Sequence, residues 1–308
     1  MMHRVLLPFE FSEPVTVAEA VSLVDGDRAR ALAGGVDLVL KLRLRQIVPE
    51  RVVSLQKVRG LDHVRVDADA GGKAAAAGGR AEAGALHIGA LATLRQVETA
   101  PAVRQRWPLL AEAIGSIVSV QTKAMGTVAG NLCVGTPASD VAPALYALGA
   151  RMRIAGRDGE REIPIEQFFL DAGKTAVGPH EIVTEIVVPA PAAGSAGAFL
   201  KLSMTSEDIA KVNAAVMLTL AGGVCARAAI SVGSAAPTPV RAAAAEKALT
   251  GRAIGAQAIT EAADAAAEAV CPISDVRSTA RYRKEMVRVL VRDALEKAAA
   301  RAAAGKEA

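Results

Sequence analysis

Ala33-Gly34-Gly35-Val36-Asp37-Leu38 and Gly126-Thr127-Val128-Ala129-Gly130-Asn131 are two glycine-containing turns set about ninety residues apart in an alanine-rich chain. Each follows a short apolar run and precedes a segment of different periodicity. Glycine carries no Cβ, so each turn offers backbone N–H groups that a phosphate or sugar edge can approach without a side chain intervening. Two such turns can cradle one diphosphate, and that geometry suits a dinucleotide.

Around the first turn, residues 15–24 read as an amphipathic helix and 29–33 as a short buried strand. Asp37 is placed to cap a helix running to about Arg45, and 52–55 read as a second strand, giving a small β-turn-α-β unit. Segment 67–84, rich in Gly and Ala, reads as a loop or loose hairpin between strands at 63–66 and 85–88. Helices are predicted at 93–99 and 108–118, a turn at Pro137-Ala138-Ser139-Asp140 before the apolar run 141–148, and strands at 151–155 and 181–188. After Pro189-Ala190-Pro191 the texture changes. Residues 199–203, 211–220 and 225–232 are strand-like with Gly222-Gly223 as a hairpin turn, and helix formers dominate 238–250, 258–270 and 278–303. A second domain is therefore predicted from near 195, an antiparallel sheet followed by helices, and the fold class is α+β.

The 308 residues exceed what one core usually fills, so two or three packed units are expected. No apolar stretch reaches the ~18 to 20 residues of a membrane span. The apolar run at the N-terminus stops at Pro8 and Glu10, too short for a signal-peptide core, and the expected location is cytoplasmic. A net charge of +4 and only eight aromatic residues, not interleaved with basic ones, argue against nucleic acid. The densest basic run is Arg277, Arg281, Arg283, Lys284, Arg288 and Arg292. It reads as the solvated face of a helix, with partner docking as the alternative.

Cys133, Cys225 and Cys271 are far apart and odd in number, which provides neither a disulfide framework nor clustered thiolates for zinc or iron–sulfur. Any cluster must come from a partner. Cys133 itself reads as a small buried apolar residue. His3, His63, His87 and His180 lie in separate segments with no carboxylate or Cys at ligand spacing, so no metal site is assigned.

Further motifs extend the pattern: Pro8-Phe9-Glu10, Asp208-Ile209-Ala210-Lys211-Val212-Asn213, Ala236-Pro237-Thr238-Pro239-Val240-Arg241, and Ser274-Asp275-Val276-Arg277 followed by Tyr282-Arg283. With the two glycine turns and Pro137-Ala138-Ser139-Asp140, their order along nearly the whole chain resembles the FAD-binding medium subunit of the molybdenum hydroxylases, the xanthine dehydrogenase and carbon monoxide dehydrogenase family. The resemblance implies a two-part FAD domain of the vanillyl-alcohol-oxidase (PCMH) type over 1–190, with subdomains of about 1–60 and 61–190. It also implies a family-specific C-terminal domain over 195–305. Two partner subunits are expected, a large one carrying molybdopterin and a small one carrying two [2Fe–2S] clusters. The FAD would pass electrons from those clusters to an external acceptor: NAD, a quinone, a cytochrome or oxygen.

Carried over by position, Leu32, Ala33, Gly34, Gly35, Val36, Asp37 and Leu38 would wrap one side of the FAD diphosphate. Bare backbone at Gly34 and Gly35 would keep a Cβ from holding the chain off the phosphate, and the helix that follows would add partial positive charge. Thr127, Ala129, Gly130 and Asn131 would form the second wall, followed by Thr136, Ser139 and Asp140, whose carboxylate would accept from FAD hydroxyls. Ala129 stands where the family commonly has glycine, at a cost of about 1 kcal/mol or more if the position needs positive φ. Ile117 aligns with a position that packs on the flavin ring. Lys201 and Asp208 would lie near the isoalloxazine, where a cation favours the reduced flavin. Between them Met204-Thr205-Ser206-Glu207 lacks the basic residue that many relatives carry.

Two other readings compete. A self-contained vanillyl-alcohol-oxidase-type flavin oxidase would use the chain after 195 as a substrate cap, but that region has few aromatics and no histidine. A scaffold that had lost the flavin is opposed by intact Gly34, Gly35, Gly130, Asn131 and Asp140.

Overall fold

A computed structural model describes residues 6–68 and 84–304. The predicted loop at 67–84 lies almost wholly outside these residues, as does His3. In the first unit, β1 (Glu10–Ser12), α1 (Val17–Leu23), β2 (Ala29–Leu32), α2 (Leu38–Leu44) and β3 (Arg51–Ser54) build a parallel sheet in the order β1-β3-β2. Parallel neighbours require a crossover, which α2 provides between β2 and β3. Thr16 and Glu19 close a reciprocal capping box on α1. Asp37 stands at the N-cap of α2 but does not cap it. Its backbone is already helical, and its carboxylate pairs with Lys41 at 2.8 Å one turn later.

The second unit contains β4 (Val64–Val66), β5 (Leu86–Gly89), α3 (Leu94–Thr99), α4 (Pro101–Arg106), α5 (Pro108–Gly115), α6 (Val120–Met125), α7 (Val128–Cys133) and α8 (Val141–Leu148). It continues with β6 (Arg151–Gly156), β7 (Gly159–Pro164), β8 (Phe169–Asp171), β9 (Lys174–Thr175) and β10 (Ile182–Val188). Five strands form an antiparallel sheet in the order β4-β5-β10-β6-β7, and the central β10 is buried along its whole length. The helices, with Trp107, Leu109, Leu110 and Ile114 fully buried among them, share one core with this sheet. Trp107 donates its indole N–H to Pro189 O at 2.8 Å, bolting the chain where it leaves for the third unit.

There, β11 (Ser195–Leu202), β12 (Val212–Ala221), β13 (Val224–Gly233) and β14 (Val240–Arg241) form an antiparallel sheet in sequence order. It is followed by α9 (Ala243–Leu249), α10 (Ala256–Glu268) and α11 (Ala280–Ala304). Gly222 and Gly223, at φ +59° and +87°, make the tight hairpin between β12 and β13. Period-two alternation then divides the sheet. Phe199, Ala215 and Ala229 join the core of the second unit, while Ala198, Val216 and Ile230 pack with α10 and α11 in a separate core.

The basic run, which lies on α11 from Arg281 onward, is only partly the solvated face predicted for it. Lys284 pairs with Glu268, and Arg288 with Asp264 across to α10, whereas Arg283 is buried and donates to the carbonyls of Lys211 and Ser234. Among the described residues no helix is long and apolar enough to cross a membrane.

Candidate functional site

The two glycine turns face each other across one cleft of about 600 Å³, within the range of about 300 to 1,000 Å³ usual for ligand sites. Residues 33–38 form one wall. Thr127, Ala129, Gly130 and Asn131 form the other, and Ile182 and Val183 of β10 close the back. The walls touch. A Cβ built on Gly34 would lie 1.9 Å from Met125 O and 2.9 Å from Gly126 Cα, so the bare α-carbon at 34 admits the opposite wall, not a phosphate as expected. Gly35 needs its freedom for another reason, a φ of +75°.

Among the described residues, the backbone N–H groups of Gly34, Gly35, Val36 and Asp37 make no hydrogen bond. Four consecutive uncommitted donors on a turn are the donor set of an anion nest. Both α2 and α7 are about two turns or less, so attraction would rest on these individual groups and not on a helix dipole.

On the second wall the roles differ from expectation. Thr127 caps α7, its Oγ1 accepting from Gly130 N–H at 2.9 Å, so that N–H is already committed while the hydroxyl proton remains to be donated. Gly130 is bare because a Cβ would sit 2.8 Å from that same oxygen. Ala129 lies inside α7, and the non-glycine residues with positive φ among the described ones are Arg45 and Ser234, so the cost foreseen for Ala129 does not arise.

Leu32, Ile117, Thr136, Ser139, Asp140, Lys201 and Asp208 are not in the cleft lining. Leu32 ends β2, Ile117 packs against the core, and Thr136 Oγ1 accepts from Ala138 N–H. Asp208 is exposed and accepts from Thr205 N–H.

Asp140 and Lys201 form a buried ion pair at 2.7 Å, with Asn213 Nδ2 on the other carboxylate oxygen at 2.9 Å. The reason is electrostatic, since a buried carboxylate needs a counter-charge and filled lone pairs. Ser139 Oγ donates to Asn131 Oδ1 at 2.7 Å, tying this pair to the cleft wall.

Several features escape a linear reading. Arg30 and Lys41 bring two cations to the cleft, each paired with a carboxylate, Asp27 and Asp37. Lys41 was detectable as the residue one turn beyond Asp37. Glu181 also lines the cleft, and the Arg161 guanidinium holds its carboxyl below the usual range. Cys133 is exposed to the cleft and not buried, yet the protein packed around it pushes its thiol up to about 12.

Away from the cleft, three strands assemble a charged cluster. Glu185 on β10 meets His63 Nε2 at 2.8 Å, His87 Nδ1 at 2.9 Å and Arg153 at 2.5 Å, and His87 Nε2 meets Asp67 at 2.9 Å. Burial alone would raise the Glu185 carboxyl; the donors and charges of His63, His87 and Arg153 outweigh it and hold it far below the usual range. The hydrogen bond to Glu185 raises the His63 imidazole, partly opposed by burial. No group among the described residues could hold a metal ion.

Comparison with known proteins follows the same division. Residues 7–191 match the family described as the FAD binding domain in molybdopterin dehydrogenase, and residues 197–298 match the CO dehydrogenase flavoprotein C-terminal domain. The chain belongs to the FAD-subunit family of the molybdenum hydroxylases. These are oxidoreductases.

Among its relatives in that family, the carbon monoxide dehydrogenase medium chain of Afipia carboxidovorans is 33% identical over 296 residues, covering 96% of this chain and 98% of the relative. The 6-hydroxypseudooxynicotine dehydrogenase complex subunit alpha of Paenarthrobacter nicotinovorans is 30% identical over 302 residues, 97% of each. A solved carbon monoxide dehydrogenase from Hydrogenophaga pseudoflava superposes with a TM-score of 0.88 at 33% identity, covering 96% of this chain and 99% of that one. Quinoline 2-oxidoreductase from Pseudomonas putida 86 does so at 0.86 and 26%, covering 97% and 99%.

Proposed function

We propose that the chain is the electron-transfer subunit of a molybdenum hydroxylase complex. It would pass electrons from [2Fe–2S] clusters of a small partner subunit, beside a large molybdopterin subunit, to an external acceptor. When bound, FAD supplies the redox chemistry for that transfer, and the chain's own residues bind and orient it. The proposed division of labour gives residues 1–190 to FAD and 195–305 to assembly.

One observation carries the reading: two stretches distant in sequence meet in one cleft, and one of them presents four uncommitted N–H groups. Backbone donors facing a diphosphate make charge-assisted bonds, roughly twice as strong as neutral ones. On the second wall the Thr127 hydroxyl and Asn131 amide would complete the hold. The names of relatives support the assembly, since medium chains and complex subunits are what this chain is similar to.

The test has two stages. The purified chain is titrated with FAD and its visible spectrum recorded; bands near 450 nm that bleach with dithionite are expected, and a protein that stays colourless in excess FAD refutes the reading. The chain is then isolated from its native host. Co-isolation with molybdopterin and iron–sulfur subunits is expected, and a lone chain oxidising a small substrate by itself would replace the proposal with a flavin oxidase.

A further inference from the structure

We infer that Ser139 is a positioning residue that sets the polarity of Asn131, turning the amide NH2 into the cleft as a donor to the cofactor diphosphate; this rests on the FAD reading above. Sequence position suggested that both residues touch the cofactor. The structure separates them, for Asn131 lines the cleft while Ser139 is buried outside its lining.

A serine hydroxyl has one proton and two lone pairs. Ala142 N–H donates to Ser139 Oγ at 3.1 Å, filling one lone pair, and the proton goes to Asn131 Oδ1 at 2.7 Å. That hydroxyl donates to no other acceptor among the described residues, so an inverted amide would leave a buried proton without an acceptor, which is costly. Asn131 Oδ1 is thus held toward Ser139. Its Nδ2 makes no hydrogen bond among the described residues, leaving two protons for whatever enters the cleft. Diphosphate oxygens only accept, so this orientation is the one that suits them, and the inverted amide would set oxygen against oxygen.

Ser139 is itself anchored from the third unit. Asn213 Nδ2 donates to Ser139 O at 3.1 Å and to Asp140 Oδ1, and Lys201 closes on Asp140 Oδ2. Asn213 and Lys201 are paired neighbours on β12 and β11, so the C-terminal sheet sets the donor that the FAD-side wall presents.

A double-mutant cycle on the whole chain tests this, with FAD affinity read from quenching of flavin fluorescence and folding from the melting temperature of each flavin-free variant. Ser139→Ala is expected to weaken FAD binding about 5- to 10-fold in the otherwise unaltered chain, and by less than about twofold in an Asn131→Ala background. Equal losses in both backgrounds, or none in the first, overturn the inference.

Asn131→Asp gives a second reading that stands even if Ser139→Ala fails to fold. With Ser139 donating to one carboxylate oxygen, the other can only accept, so FAD binding is expected to be lost at pH 8 and regained as the pH falls through the titration of the new carboxyl. Undiminished binding at pH 8 would mean that position 131 faces the ligand as an acceptor, and overturns the inference. Failure of the unaltered chain to bind FAD would instead refute the FAD reading, so the two failures are distinguishable.

Discussion

Replacing Gly34 by alanine should damage the cleft and the fold together. The new Cβ would lie 1.9 Å from Met125 O, whereas real Cβ contacts essentially never fall below 3.0 Å, so the walls must part by about 1 Å or more. The obstacle is backbone on both sides, with no flexible side-chain tip to swing away. Overpacking of this kind costs about 1 to 3 kcal/mol. At about 2 to 4 °C per kcal/mol, the flavin-free protein should melt roughly 2 to 12 °C lower. The same displacement moves the N–H groups at 34–37 relative to Thr127 and Asn131. Losing one charge-assisted bond costs about 1.5 to 3 kcal/mol, so FAD affinity should fall about 10- to 150-fold.

Thermal scans of the flavin-free protein and flavin-fluorescence titrations measure the two effects. Gly149→Ala is the control: its φ is +70° but nothing lies within 4 Å of the added carbon, so it should cost about 1 to 2 kcal/mol with FAD affinity unchanged. A Gly34→Ala protein that melts and binds like the unaltered chain would refute the contact between the walls.

The remaining predictions concern charge and access. Lys201→Met leaves the Asp140 carboxylate buried without its cation and should destabilise by about 3 to 5 kcal/mol in urea unfolding; adding Asp140→Asn should recover part of that loss, and no recovery would mean that the charge is not the cause. Because Glu185 raises the His63 pKa, the contribution of His63 is complete below its ordinary value of 6.5 and lost as the pH rises through the raised value. Melting temperature should therefore fall across that window, and His63→Gln should flatten the fall. Glu185 acts oppositely, its contribution being present above its ordinary 4.5 and lost as acid protonates the lowered carboxyl; Glu185→Gln should flatten the acid limb of the same curve. Cys133, its thiol pushed up to about 12, should react with a maleimide at pH 8.5 far more slowly than exposed Cys271 in the flavin-free chain, and saturating FAD should slow it further while leaving Cys271 unchanged; mass spectrometry of peptides separates them, and Cys133 labelling unaffected by FAD would place it outside the ligand's reach.

Much of the architecture was legible because its periodicity is local. The strands at β10, β12 and β13 and the helices α1, α5 and α10 announce themselves by alternation or by apolar stripes longer than a turn. The missed elements lack that signal: α4, α6 and α7 have six residues each, and β7 is an exposed strand, GEREIP, held by its hairpin partner β6. The two cleft walls were found from glycine alone, yet the reason for Gly34 was hidden, because its obstacle is the carbonyl of Met125, 91 positions away. The Glu185 cluster could not be read either. Register brings Arg65 opposite His87 and Glu185 opposite Arg153, and no spacing along the chain encodes register between strands.

Ser234, one of the two non-glycine residues with left-handed backbone among the described residues, offers its N–H to Pro137 O from 97 positions further along, and its own carbonyl takes the guanidinium of Arg283. During synthesis on the ribosome, the loop around Pro137 therefore emerges well before the groups that fasten it. An N-terminal portion released early would hold both glycine turns yet lack this clasp. The loop around Pro137 accordingly gains its last fastening only once Ser234 and Arg283 have been made, so its closure waits on the C-terminal third of the polypeptide.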